Sequence, residues 1–151
     1  IASSVASGCR YCQAHTSHNA HRLGEGEDKL AHVLEHETHP DYSEAERAVV
    51  ALALAAGGVP NEADERHFEA LRAHFTDRQI VQIVGVIAMF GFLNRWNDTI
   101  GTELEDPARQ FGERVLAEAG LTTMTDIQVQ TLAPALQGRD IIGRARTGTG
   151  K

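Results

Sequence analysis

Apolar residues recur along most of this chain at helical rather than alternating spacing, and polar or Gly/Pro stops cut the pattern into segments. Arg10–Leu23 contains no Pro or Gly and stops at Gly24, which predicts one helix. A polar turn over Gly24–Asp28 leads into a short His-rich segment, Lys29–Glu37, that breaks at Pro40. Ser43 and Glu46 form a capping box ahead of the apolar run Ala48–Ala56, and Gly57-Gly58 with Pro60 closes that helix. Asn61 is placed to cap a fourth helix, Glu62–Phe75, whose Phe68, Leu71 and Phe75 share a face. Thr76 and Gln79 make another capping box and open a long helix through Ile80, Val84, Ile87 and Leu93 to about Ile100. That segment is apolar on most sides up to Phe92, so the pattern predicts the central buried helix. Its apolar run Ile80–Phe92, interrupted by Gln82 and Gly85, falls short of the roughly 18 residues of a membrane span. Asp106-Pro107 starts a last helix running to Ala119. The expectation is an all-α body over residues 4–119, with short connections and no sheet.

The pattern changes at Gly120. Thr125–Leu136 reads as a helix, Gln137-Gly138-Arg139 as a turn, and Asp140–Ala145 as a short run containing β-branched Ile141 and Ile142. A Gly-rich loop, Thr147-Gly148-Thr149-Gly150-Lys151, follows. This order belongs to α/β proteins. Two units are therefore expected, a helical domain over residues 1–119 and a short α/β-type tail over residues 120–151 lacking its sheet. A chain that opens on Ile1 and stops inside a motif reads as a fragment, and the junction near Gly120 as a chimeric gene model, a fusion or an assembly artefact joining two pieces.

At 151 residues, 42% hydrophobic and 23% charged, the composition is that of a globular chain. The formal net charge of −7 sits in the body, because the tail carries Arg139, Arg144, Arg146 and Lys151 against Asp126 and Asp140. An acidic body with only 5% aromatic residues offers neither a phosphate footprint nor stacking platforms, so nucleic acid is not an expected partner for it. No signal peptide is apparent, and the expected location is cytoplasmic, without a membrane partner.

Two cysteines, Cys9 and Cys12, are too few for a disulfide scaffold and fit a redox or metal pair in a reducing compartment. They fall at the predicted start of a helix, where backbone N–H groups and the helix dipole favour a thiolate, and Arg10 adds positive charge. A partner thiol three residues away can resolve an oxidised sulfur as an internal disulfide. His15 follows Cys12 by three residues on the same helical face and can serve as base or proton relay. Two other readings stand beside redox use: an inert buried pair, and a zinc site drawing on two of His15, His18 and His21. Against zinc, all those ligands crowd one short helix and no second ligand pair follows. The redox reading takes no metal and no cofactor. The remaining histidines, from His18 to His74, and the acids from Glu25 to Glu37 read as solvated faces.

The stretch Cys9-Arg10-Tyr11-Cys12-Gln13-Ala14-His15-Thr16-Ser17-His18, with Asn94-Arg95-Trp96-Asn97-Asp98-Thr99 later in a long helix, resembles the carboxymuconolactone decarboxylase/alkylhydroperoxidase (AhpD-like) superfamily over residues 1–119. The resemblance implies an all-α helical bundle that assembles as a homo-oligomer. It implies a thiol peroxidase or disulfide reductase in which Cys12 attacks a hydroperoxide, Cys9 resolves, and a dithiol donor such as a dihydrolipoyl protein restores the pair. The superfamily's relay histidine falls four residues after the second cysteine, a position held here by Thr16, with His15 one short. Its relay glutamate lies about a dozen residues before the first cysteine, upstream of Ile1.

The tail stretch Gly120–Gln128 with Gly138-Arg139-Asp140, followed by Ala145–Lys151, resembles the Q motif and phosphate-binding loop of DEAD-box RNA helicases. In that resemblance Gln128 reads adenine, and Thr147, Gly148, Thr149, Gly150 and Lys151 cradle the phosphates of ATP with Mg²⁺. Those residues form the alternative functional reading, an ATP-binding helicase fragment. A third is a non-catalytic oligomeric helical protein with a relic cysteine pair. Lacking the later helicase motifs and the supporting sheet, the tail alone is not expected to bind nucleotide.

Overall fold

The computed structural model describes residues 1–117, and over these residues it is all-α with no strand. Seven helices follow in order: α1 (Ala2–Ser7), α2 (Arg10–Arg22), α3 (Glu27–Ala31), α4 (Glu44–Gly57), α5 (Glu65–Arg72), α6 (Asp77–Ile100) and α7 (Asp106–Val115), with a 3₁₀ turn, Val33–Glu35, after α3. The tail residues Gln128 and Thr147–Lys151, and the whole expected unit 120–151, lie outside the described residues.

Local chemistry sets most of these boundaries. The Ser43 hydroxyl accepts from the Glu46 amide while the Glu46 carboxylate accepts from the Ser43 amide, so both expected capping-box partners are engaged at α4. Thr76 and Gln79 do the same for α6. The expected cap at Asn61 is corrected: α5 starts three residues later, on Asp64. Asn61 instead accepts from the Ala63 amide and closes a turn, while Asp64 takes the Arg66 amide and its own amide donates to His67. The carboxylate is closer to the first amphipathic turn and wins the cap.

The core gathers Leu52 of α4, Leu71 of α5, and Ile80 and Ile87 of α6, with Ala2 of α1 and Val33 of the 3₁₀ turn. A smaller cluster joins Leu30 and Ala31 of α3 to Phe111 and Val115 of α7. α1 lies so close to the end of α4 that a Cβ on Gly57 would come within 2.8 Å of the Ser3 backbone, which only hydrogen allows. Lys29 ties α3 to α4 through Glu46 at 2.5 Å, and that ammonium, with the Ser43 donors, holds the Glu46 carboxyl down at about 2.

The expectation of a central buried α6 is also corrected. The helix runs unbroken through Gln82 and Gly85, but only Ile80, Ile87 and Asn94 are buried, one residue every two turns. Val81 is 70%, Phe92 62% and Trp96 55% exposed, so the opposite face is a bare apolar stripe. Over its most apolar 18-residue stretch α6 has a mean hydropathy of 1.2, so by length and composition it also reaches a membrane span, which the interrupted run did not suggest. Apolarity on all sides reports what a helix can bury, not what its own chain covers.

Candidate functional site: a buried cysteine pair with a histidine–carboxylate partner

Gly8 ends α1 at φ +78°, a left-handed conformation that glycine adopts at no steric cost. The chain turns there, and the next residue, Cys9, caps α2, its sulfur accepting the Cys12 amide at 3.4 Å. The expected helix-start placement of the pair holds: Cys9 is the cap and Cys12 lies in the first turn. Two side-chain amides anchor this corner to α1. Gln13 donates its side-chain amide to the Ser4 carbonyl at 3.1 Å, and Asn94 of α6 donates to the Ser3 carbonyl at 3.3 Å.

Both thiols are free and buried, Cys9 completely and Cys12 to within 4%. Burial pushes the Cys9 thiol well up from its ordinary value, and the neighbouring Cys12 and Asp98 side chains add to the rise. Cys9 is therefore held as a thiol at neutral pH. Cys12 has a different neighbour, the Asn97 side-chain amide, whose nitrogen stands 3.5 Å from its sulfur. Asn97 is itself fixed, donating to the Leu93 carbonyl at 2.9 Å and accepting from the Thr102 hydroxyl at 2.8 Å.

His15, one turn beyond Cys12, is bound to a carboxylate. Its Nε2 is 2.6 Å from Glu105 Oε2, and the Tyr11 ring lies 4.4 Å from the imidazole. Glu105 is the cap residue of α7. Its own backbone N–H, then His15, hold its carboxyl below the usual glutamate range. Thr16, at the superfamily's relay position, spends its hydroxyl on the Cys12 and Gln13 carbonyls at 2.7 and 3.2 Å. It does not substitute for a relay.

The structure thus places Cys9 and Cys12 at the start of α2 and His15 one turn further along it, and adds two residues without an expected role, Asn97 against Cys12 and Glu105 against His15. Glu105 stands 90 positions from His15 and Asn97 stands 85 from Cys12, so no local spacing signals either contact. His18 and His21, the other zinc candidates, turn instead to Phe111, with ring centroids 5.5 and 5.1 Å away. A cavity of about 820 Å³ opens between α2, α4 and α6, lined by Thr16, Val49, Val50, Ile83 and Ile87; neither cysteine lines it.

Residues 1–56 match the carboxymuconolactone decarboxylase family. The crystal structure of the debrominase Bmp8 is similar with a TM-score of 0.70 and 36% identity, over 78% of this chain and 61% of that one. A cysteine-to-alanine variant of the same debrominase in complex with 2,3,4-tribromopyrrole gives 0.71 and 35%, over 76% and 61%. Among curated proteins the similarity is to RNA helicases and is short. A probable ATP-dependent RNA helicase, pitchoune, of Drosophila melanogaster is 53% identical over 38 residues, 25% of this chain and 6% of that protein. DEAD-box ATP-dependent RNA helicase 3 of Helianthus annuus is 61% identical over 36 residues, 24% and 15%. The chain therefore spans 61% of the debrominase and a small part of these helicases. Residues 1–56 are thus similar to the carboxymuconolactone decarboxylase family, the helical body is similar in fold to the debrominase, and a short stretch is similar to DEAD-box helicases.

Proposed function

We propose that Cys9 and Cys12 are the reacting dithiol of a thiol-dependent reductase, with hydroperoxides as the substrate class. The observation that carries this reading is the asymmetry of the pair: Cys9 is fully buried and kept protonated, whereas Cys12 faces the Asn97 donor and lies one turn from the His15–Glu105 couple. A carboxylate-bound imidazole one turn along the helix is suited to take a proton from the reacting thiol. The Cys12 thiolate attacks the terminal peroxide oxygen, the O–O bond breaks, and the alcohol leaves with a proton. The Cys9 thiol then displaces water from the Cys12 sulfenic acid, giving the disulfide. In sum, one hydroperoxide and two thiols give one alcohol, one water and one disulfide. A dithiol donor, in the dihydrolipoyl class, returns the two electrons and two protons.

The test is mass spectrometry after one equivalent of hydroperoxide. An intramolecular Cys9–Cys12 disulfide, formed stoichiometrically and reversed by a dithiol, is expected; two unchanged thiols would reject the reading. His15→Ala should slow the peroxide step about 100-fold, the lower end for losing a general base. Glu105→Gln, which keeps the hydrogen bond but not the charge, should fall between that variant and the parent when single-turnover rates are compared.

The similarity to a debrominase favours a second substrate class for the same dithiol, a brominated aromatic ring. There the balance is one carbon–bromine bond and two thiols giving one carbon–hydrogen bond, bromide, a proton and the same disulfide. Bromide release from a bromopyrrole, measured beside hydroperoxide consumption, separates the two. The reading also includes a homo-oligomer seamed on the exposed α6 stripe of Val81, Phe92 and Trp96. Sedimentation should return a multiple of 16.4 kDa, and the double change Phe92→Glu with Trp96→Glu should return the single-chain mass.

A further inference from the structure

A second group of ligand-type side chains lies away from the cysteines, where α3 runs into the 3₁₀ turn. Asp28 stands in α3, His32 ends it, and His39 follows a turn closed by bonds from the Thr38 and His39 amides to the Glu35 carbonyl. One donor atom from each of the three residues lies within 4.8 Å of the others. His39 Nε2 is 3.0 Å from Asp28 Oδ2, and His32 Nδ1 is 3.4 Å from Asp28 Oδ1. The two imidazoles are nearly parallel, their centroids 5.0 Å apart at 22°, so they present nitrogen edges side by side to one carboxylate. The His39 side chain is only 10% exposed and Asp28 71%, which gives the group a closed floor and an open mouth.

These spacings are those of a coordination shell. A tetrahedral ion held at about 2.0–2.2 Å by imidazole nitrogen and carboxylate oxygen sets its donors roughly 3.3 Å apart. Each imidazole already stands at about that separation from one of the two Asp28 oxygens, 3.0 Å from Oδ2 for His39 and 3.4 Å from Oδ1 for His32. The segment Glu25–Asp41 carries six acids against one lysine, with the Arg47 guanidinium donating to the His36 and His39 carbonyls beside it, and the acidic excess that remains favours a cation. Two imidazoles with one carboxylate suit a borderline divalent ion such as zinc rather than magnesium or calcium, which prefer all-oxygen shells.

We propose that Asp28, His32 and His39 bind one zinc-class divalent cation per chain, with solvent completing its shell through the open mouth. The histidines meet the ion as neutral rings with the proton on the far nitrogen. His39 then gives up its 3.3 Å contact with the Asp41 amide, and His32 its 2.7 Å bond to the Asp28 carbonyl. In return the ion joins both ends of the α3 turn through one point. The site is independent of the dithiol, which its test must also distinguish.

The experiment is calorimetric titration of the untagged, metal-free full chain with ZnCl₂, and a parallel titration with CoCl₂ read by absorbance. One ion per chain is expected, with cobalt d–d bands and no thiolate-to-cobalt charge transfer. Asp28→Asn and His39→Gln should each weaken binding by more than the roughly tenfold to 100-fold that loss of an outer-shell partner brings. Should His39→Gln lose its helical circular dichroism, Asp28→Asn, on an exposed side chain, carries the comparison alone. No saturable binding, a thiolate charge-transfer band, or an affinity unchanged by Asp28→Asn would each overturn the proposal.

Discussion

Cys12→Ser should abolish hydroperoxide consumption, whereas Cys9→Ser should leave a chain that reacts once and stops. The two cysteines are three residues apart, and the proposed roles rest on the difference between their surroundings. Cys9 is sealed and its thiol is raised by burial, so it supplies few thiolates at neutral pH. A serine at position 9 retains an oxygen able to accept the Cys12 amide, so the helix start should survive and the effect be chemical rather than structural. The Cys9→Ser chain should accumulate a sulfenic acid on Cys12, trapped by dimedone and read by mass. The Cys12→Ser chain should give no dimedone adduct, because a hydroxyl is neither an adequate nucleophile nor oxidisable under these conditions. An adduct on Cys9 in the parent protein would reverse the assignment.

Leu52→Ala should cost about 2–5 kcal/mol of stability. Leu52 is 1% exposed at the centre of the main cluster, where α4 meets Leu71 of α5 and Ile80 and Ile87 of α6. Truncation removes the transfer free energy of the side chain and leaves a cavity that four converging helices cannot close. For a helical body of this size a loss near 3 kcal/mol corresponds to a fall in Tm of about 10 °C. Thermal denaturation followed by circular dichroism measures it. Leu54→Ala, one helical step away on a partly covered face, should cost clearly less. Equal losses at the two positions would mean that the core is not where the structure places it.

Much of the fold was legible because the chain advertises its helix starts. Ser43 with Glu46, Thr76 with Gln79, and Asp106 with Pro107 each carry their partners within three residues, and α4, α6 and α7 begin there. Where two caps competed, at Asn61 and Asp64, spacing alone chose the wrong one. The burial of α6 was not legible, since an apolar residue looks the same in sequence whether its own chain or another surface covers it. The site divides along the same line. Cys9, Cys12 and His15 lie within seven residues and speak through local spacing. Asn97 and Glu105 reach them only because α6 and α7 fold back onto α2, a relation that no short window contains.

The atom that starts α2 is the Cys9 sulfur. In the reduced chain it accepts the Cys12 amide; once bonded to the Cys12 sulfur it is a poorer acceptor, tied to a geometry set by the new bond. A change of two electrons at the side chains is therefore felt by the backbone of the first turn. Hydrogen exchange at the Cys12 amide becomes a gauge of oxidation state, slower with the thiols intact and faster with the pair closed. Under the proposed dithiol chemistry the helix start would report how many reducing equivalents the protein holds, readable without following any substrate.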